Sequence, residues 1–78
     1  MSPDQKRQIE TIRRAAAALG LVEGKEINFQ KLYSRSKITV SLLRKYVNTN
    51  EKHWVRVGGR NAPRLARALQ ISLEDLLA

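Results

Sequence analysis

The residues of this chain that can act chemically are mainly cations, and they concentrate in its middle. Residues 28–50 contain no Asp or Glu and five basic residues, which are Lys31, Arg35, Lys37, Arg44 and Lys45. Ammonium and guanidinium groups donate hydrogen bonds to phosphate oxygens and to the acceptor atoms of guanine. A run of like charges can also be a solvated surface, but soluble surfaces usually mix both signs. The absence of acids therefore favours binding to a polyanion.

The whole chain is basic as well, with a formal net charge of +8 over 78 residues. Residues 28–50 contribute +5 and residues 51–64 contribute +3, whereas residues 65–78 contribute −1. Net charge is evidence about partners rather than about fold. The central excess of positive charge supports the same interpretation, a polyanionic partner.

The composition disfavours most kinds of catalytic or metal site. The chain has no Cys, which excludes disulfides and thiolate metal sites, and its single His is His53. No pair of acids lies in the basic region, and Gly58-Gly59 lacks the Gly-Lys-Ser/Thr context of a phosphate-binding loop. We therefore predict that the protein is not an enzyme and uses no metal or cofactor, and no small-molecule ligand is evident.

The sequence gives no sign of a membrane segment. No apolar run approaches the roughly 20 residues that a membrane-spanning helix needs, and Met1 is not followed by an apolar signal segment. The expected location is the cytoplasm, in association with the nucleoid and without a membrane partner.

The basic residues must be positioned by a small scaffold, which we expect to be a single domain over residues 1–78. A chain of this size buries only about 60% of its unfolded surface, so compact helical packing or pairing with a second copy is the usual remedy. Ser2 and Pro3 predict the start of helix 1, over residues 3–19, and Gly20 predicts its end. Residues 21–27 are expected to be a connector with Gly24 at a turn.

The basic region itself divides into two short helical patterns. Asn28 is the expected N-cap of helix 2, which runs to about Ser36. Three side chains of helix 2 are expected to face inward: Phe29, Leu32 and Tyr33.

Lys37 and Ile38 are expected to form the turn that leads to helix 3. Thr39 is its expected N-cap, and the helix is expected to end near Asn48. Helical spacing predicts a buried side formed by Leu42, Leu43, Tyr46 and Val47. We therefore interpret Tyr46 as a core residue rather than as a platform for stacking bases.

The last third of the chain is expected to close the core. Residues 49–60 are expected to form an extended loop held over the core by Trp54, although the alternating residues 54–57 leave a short strand possible. Asn61 is the expected cap of helix 4, with Pro63 in its first turn and Leu65, Ala66 and Leu69 facing inward. Ile71 is expected to be a buried link, and Ser72 is expected to open a final short helix with Leu73, Leu76 and Leu77.

Residues 29–48 resemble the helix-turn-helix of the phage Cro/C1-repressor-like (XRE-like) DNA-binding family. Four residues fall on that family's apolar key positions: Leu32, Ile38, Leu43 and Tyr46. Residues 65–77 resemble the family's two closing helices, so the resemblance covers most of the chain from residue 9 onward. It implies an all-α fold, a compact lambda-repressor-like bundle of about five short helices that contains a helix-turn-helix.

The chain departs from the family pattern at three places. Tyr33 stands where the family often has Ala, and Lys37 stands where it usually has Gly. The Tyr33 ring must turn outward or open the angle between the two helices, and a left-handed Lys37 costs on the order of 1 kcal/mol relative to Gly. Residues 49–60 also form a longer segment than is common in the family.

The resemblance implies which residues contact DNA. In this family helix 3 enters the major groove, and residues at its N-terminal end reach base edges. The implied base contacts are Thr39, Val40, Ser41, Arg44 and Lys45. Arg44 and Lys45 can donate to guanine O6 and N7, whereas Val40 can contact a thymine methyl. For Arg44 a phosphate contact or plain solvation stays an alternative.

Residues flanking helix 3 are implied to hold the phosphate backbone without reading sequence. They are Gln30, Lys31, Arg35, Lys37, Asn48, Asn50, Lys52, Arg56 and Arg60. Such contacts make the affinity fall steeply as salt rises.

The predicted function is that of a sequence-specific, double-stranded DNA-binding transcriptional regulator, in particular a repressor. One small domain covers only a few base pairs, so a homodimer on a two-fold operator with half-sites about 34 Å apart is expected. The family commonly pairs through its C-terminal region. Two alternatives stay open: an antitoxin-type or anti-repressor-type protein-interaction module, and a nonspecific nucleic-acid-binding protein. Lys is depleted at the core of protein–protein interfaces, which argues against the first.

Overall fold

The first helix follows from its capping residues. The computed structural model describes all residues, 1–78, and places α1 at Pro3–Ala18. The Ser2 hydroxyl accepts a hydrogen bond from the Gln5 N–H at 3.2 Å, and Gly20 has a φ of +71° just beyond the helix end. The prediction of a helix over residues 3–19 is confirmed to within one residue.

A short hairpin follows α1 where the sequence predicted only a connector. Strand β1, Val22–Glu23, pairs antiparallel with β2, Glu26–Ile27. Gly24 adopts a φ of +61° at the first position of the two-residue turn, a place that favours glycine. Five helices and this two-stranded sheet make up the fold, so the predicted all-α class is correct for the helices and incomplete for the hairpin.

The second helix, α2 at Phe29–Ser36, begins and ends as predicted. The Asn28 side chain accepts a hydrogen bond from the Lys31 N–H at 3.1 Å, which caps the helix. Lys37 adopts the left-handed conformation with a φ of +61°, and its N–H donates to the carbonyl of Tyr33 at 2.7 Å. A residue with a Cβ therefore occupies the conformation that a glycine would adopt at lower cost.

A three-residue connection leads from α2 to α3, which spans Val40–Tyr46. The buried Ser36 hydroxyl donates to the Leu32 carbonyl at 2.8 Å and accepts from the Ile38 N–H at 3.2 Å. Thr39 caps α3 as predicted, with its hydroxyl 3.4 Å from the Leu42 nitrogen. The helix ends at Tyr46 rather than near Asn48, which shortens the predicted element by two residues.

The long connection between α3 and α4 is an irregular loop that packs on the core. Trp54 is half-buried, and its indole N–H donates to the Tyr46 carbonyl at 3.1 Å. Val57 is buried, and its N–H donates to the side-chain oxygen of Gln8 at 2.8 Å. The segment contains no strand, so the predicted loop is confirmed and the alternative of a strand is not.

The fourth helix, α4 at Asn61–Leu69, starts without the cap that we predicted. Arg60 precedes the helix, and no side chain caps it. The Asn61 amide instead donates to the Tyr46 hydroxyl at 3.0 Å, because the tyrosine lies within reach and needs a partner for its buried hydroxyl. The predicted capping role of Asn61 is wrong.

The last helix, α5 at Leu73–Leu77, is capped by Ser72, whose hydroxyl accepts from the Asp75 N–H at 3.0 Å. It packs against α1 and α4, with Leu76 buried and Leu73 exposed. Ile71, expected to be buried, is only half-buried.

One hydrophobic core joins all the helices. It consists of 18 buried residues: Ile9, Ile12, Ala15, Ala16, Leu21, Ile27, Leu32, Ile38, Leu43, Tyr46, Val47, Val57, Ala62, Leu65, Ala66, Ala68, Leu69 and Leu76. Tyr46 is 3% exposed, which confirms it as a core residue. Tyr33 is 42% exposed, so the prediction that it faces inward is wrong. The ring points outward, and Leu32 alone of helix α2's apolar residues is fully enclosed. None of the helices has both the length and the apolar character needed to cross a membrane.

Candidate nucleic-acid interface

Helix α3 has one buried side and one polar exposed side. Leu43 and Tyr46 are its buried residues. Of the five residues predicted to contact bases, Val40 is half-buried and the others are exposed, namely Thr39, Ser41, Arg44 and Lys45. The structure thus leaves four of these side chains open to a ligand and gives Val40 a partly open apolar surface.

The Arg44 side chain is held by an aromatic ring although it remains exposed. Its guanidinium carbon lies 5.3 Å from the centroid of the Phe29 ring, at the start of α2. This distance is in the range of a cation–π contact. A cation–π contact uses the charge of the guanidinium and not its N–H donors, which stay free for an acceptor. The Arg44 side chain therefore contacts an aromatic ring, and its charge is not paired with an acid.

Residues predicted to hold phosphates precede and follow α3 in the sequence, and all are exposed except Asn48, which is half-buried. The exposed ones are Gln30, Lys31, Arg35, Lys37, Asn50, Lys52, Arg56 and Arg60. The Asn48 side-chain oxygen accepts from the Asn50 N–H at 2.8 Å, and the Asn50 side-chain oxygen accepts from the Lys52 N–H at 3.0 Å. These local bonds shape the loop and leave the amide N–H donors of both residues available.

One predicted phosphate contact is compensated within the protein. The Arg56 guanidinium lies 2.9 Å from the carboxylate of Asp4 on α1, so its charge is paired. It can contact a phosphate only by sharing or breaking that ion pair. Arg56 is consequently the weakest member of the predicted set.

The ion pairs of the protein do not involve the exposed cations of α2 and α3. They join Asp4 to Arg7 and Arg56, Arg13 to Glu26, and the Met1 amino group to Glu51. The hydrogen bond and the positive charge of the Met1 amino group lower the pKa of the Glu51 carboxyl. The positive charge of α2 and α3 is thus left without internal counterions.

Two arginines that the sequence reasoning missed lie beside the predicted residues. Arg64 and Arg67 on α4 line a surface cleft of about 290 Å³ together with Arg35, Ser36 and Lys37. Their spacing of three residues places both on one side of a helix, which was the available signal. We missed this spacing because the apolar residues of the helix led us to interpret α4 as a core element only.

No group of three or more His, Asp or Glu residues is placed to hold a metal ion. Comparisons with models of protein families, with curated proteins and with solved structures found no match to this chain. The interpretation of the basic surface therefore depends on the geometry and charge described above.

Proposed function

We propose that this protein is a sequence-specific, double-stranded DNA-binding transcriptional regulator, and specifically a repressor of the Cro/C1-repressor-like (XRE-like) kind. The observation that carries the proposal is the exposed side of α3, where Ser41, Arg44 and Lys45 are displayed with no acidic residue anywhere in residues 28–50. A short capped helix with such a side suits the major groove, whose base edges offer acceptors to cationic donors.

The elements around α3 support a helix-turn-helix. Helix α2 has eight residues, the connection has three, and α3 has seven. DNA-binding helix-turn-helix units join their two helices by a turn of three or four residues. Buried Leu32, Ile38 and Leu43 fix the two helices against the core, so the outward side of α3 has a defined direction.

The proposed roles follow from the chemistry of each side chain. Arg44 reads guanine through its fork of donors, with the Phe29 ring limiting its rotation. Lys45 donates to the same kind of acceptor as a point charge, and Ser41 serves either base type. Val40, partly exposed at the first turn of α3, contacts a thymine methyl.

Phosphate contacts flank this reading surface on both sides. Gln30 and Lys31 lie in the first turn of α2, where helix N–H groups also favour anions. Lys52 and Arg60 lie in the loop on the other side of α3 and form no ion pair. Because these side chains neutralise phosphates of any sequence, they supply affinity and orientation rather than specificity.

The first test is a selection of binding sites from random duplexes, followed by variants measured on the selected site and on random DNA. Arg44→Ala should weaken the selected site by about 1–3 kcal/mol, or roughly 5-fold to 150-fold, with a smaller loss on random DNA. Lys52→Ala should weaken both duplexes alike, and it serves as the matched control because it also removes one exposed charge.

Three outcomes would count against the proposal. A selection that returns no preferred sequence would make the protein a nonspecific nucleic-acid binder. Equal effects of the two variants on both duplexes would remove Arg44 from base reading. Failure to bind any duplex at low salt would favour the protein-interaction alternative.

A further inference from the structure

The cleft between α2 and α4 is lined only by polar and charged side chains. Its volume is about 290 Å³, and its walls are Arg35, Ser36, Lys37, Arg64 and Arg67. Four of these five side chains are cations, and none of them takes part in an ion pair. Four like charges around one small space repel one another unless an anion lies between them.

The wall that α2 provides is fixed by hydrogen bonds. The Nε of Arg35 donates to the Ala68 carbonyl on α4 at 2.9 Å, which ties the two helices together and leaves the terminal amino groups of Arg35 free. The Ser36 hydroxyl is already used by Leu32 and Ile38, so it forms part of the wall rather than binding a ligand. The α2 wall of the cleft is therefore ordered before any ligand enters.

The wall that α4 provides carries two arginines, Arg64 and Arg67, and neither has an acidic partner. Arg67 lies in the last turn, where a cation interacts favourably with the helix dipole. Arg64 is the fourth residue of α4, so it lacks the favourable C-terminal position of Arg67. Since Arg64 has no acidic partner, an anion in the cleft would compensate its charge.

We propose that this cleft binds a phosphate group. Guanidinium groups match the geometry of a phosphate through paired N–H donors, and three arginines with one lysine can surround its oxygens. Two sources share this chemistry, a phosphate of a DNA backbone and a free phosphate ion or ester. The site extends beyond the DNA contacts proposed above, because Arg64 and Arg67 belong to neither the base-reading nor the phosphate-holding set. Its existence does not depend on DNA binding.

The site is tested with inorganic phosphate as the probe. The melting temperature of the whole chain is measured in sodium phosphate and in sodium chloride at equal ionic strength, for the wild type and for Arg64→Ala/Arg67→Ala. A control variant, Lys6→Ala/Arg14→Ala, removes two exposed charges from α1 outside the cleft. The substituted residues of both variants lie at exposed helix positions, where alanine is a good helix former. Circular dichroism checks that each variant is folded.

The wild type and the control variant should melt roughly 4–8 °C higher in phosphate when the ion is about fivefold above its Kd. The cleft variant should lose that rise. General stabilisation of proteins by phosphate salts acts on all three proteins alike, so it cancels in the comparison. An equal rise in the cleft variant and the control would overturn the proposal.

Affinity for duplex DNA then identifies which phosphate the cleft takes. If the phosphate belongs to a DNA backbone, the cleft variant should bind duplexes less tightly than the control and show a shallower salt dependence, by about one unit of slope, because the cleft holds one phosphate. If the phosphate is free, the cleft variant should bind DNA as the control does while losing the melting shift. Both results support the site, and the first assigns it to the DNA surface.

Discussion

At the scale of single residues, two side chains occupy a backbone conformation that usually belongs to glycine. Lys37 has a φ of +61° at the end of α2, and Gln70 has a φ of +56° at the end of α4. Each residue carries a Cβ that clashes with its own backbone there. The sequence predicted this conformation at Lys37 through the family resemblance, but it contained no comparable signal at Gln70.

The strain at these positions predicts a gain in stability from glycine. Gln70→Gly should raise the free energy of unfolding by about 0.5–1 kcal/mol, because relief of strain exceeds the added freedom of the unfolded chain. Lys37→Gly should gain more, since it also removes one of the crowded cations of the α2–α4 cleft. Urea or thermal unfolding measures both changes.

Lys31→Gly, within α2, is the control for the glycine substitutions and should lose about 0.5–1 kcal/mol. A loss of stability in Gln70→Gly would mean that the strain at residue 70 is smaller than the cost of the added freedom of the unfolded chain.

At the scale of elements, the sequence predicted the helices well because their signals are local. Ser2, Asn28, Thr39 and Ser72 each cap the helix that they were expected to cap, since a cap depends only on residues two or three positions away. The cap at Asn61 was predicted wrongly because a residue 15 positions earlier takes its side chain. The hairpin was missed because two-residue strands are too short to show an alternating pattern.

In the candidate site, too, the features that depend on one helix could be predicted and those that depend on contacts between elements could not. The exposure of Ser41, Arg44 and Lys45 could be predicted from the periodicity of one helix. The stacking of Arg44 on Phe29 and the cleft lined by Arg64 and Arg67 could not, because each requires knowing which elements become neighbours. The assignment of base and phosphate contacts stays a prediction until a complex is measured.

Helix α1 is joined to the loop that follows α3 by two buried glutamines. The Gln5 amide donates to the Asn48 carbonyl at 2.9 Å, and the Gln8 side-chain oxygen accepts from the Val57 N–H at 2.8 Å. Both glutamines are almost fully enclosed. The loop without secondary structure therefore obtains part of its order from a helix more than forty residues away in sequence.

Loss of the Gln8 contact should loosen this junction. Gln8→Leu keeps the side chain buried but leaves the Val57 N–H without a partner, and it should cost about 1–3 kcal/mol of folding free energy. Hydrogen exchange should rise first at Val57. Lys6→Ala, an exposed change on the same helix, should alter stability little, and an equally small effect of Gln8→Leu would show that water replaces the lost bond.

At the scale of the whole molecule, size bears on the proposed binding to DNA. The Cα atoms extend over 27 × 26 × 21 Å, and side chains add several ångströms on each side. Two molecules bound one helical turn apart, about 34 Å, would therefore lie close enough to touch. This dimension fits the homodimer on a two-fold site that the sequence led us to expect.

Spacing of the half-sites provides the test of paired binding. Sedimentation of the protein with a duplex carrying two half-sites one turn apart should show two molecules bound cooperatively. Insertion of about half a turn between the half-sites should abolish the cooperativity, because the second molecule then lies on the opposite side of the duplex. Independent binding with either spacing would argue for a protein that acts as a monomer.

The absence of acids from three of the helices has a consequence for how the molecule approaches a partner. Acidic residues occur on α1, the hairpin, the loop after α3 and α5, and they are absent from α2, α3 and α4. Such a distribution concentrates positive potential on α2, α3 and α4, and the field of a polyanion acts on it at distances of about a Debye length. Encounters in which these helices meet the polyanion first would therefore be favoured before any contact forms.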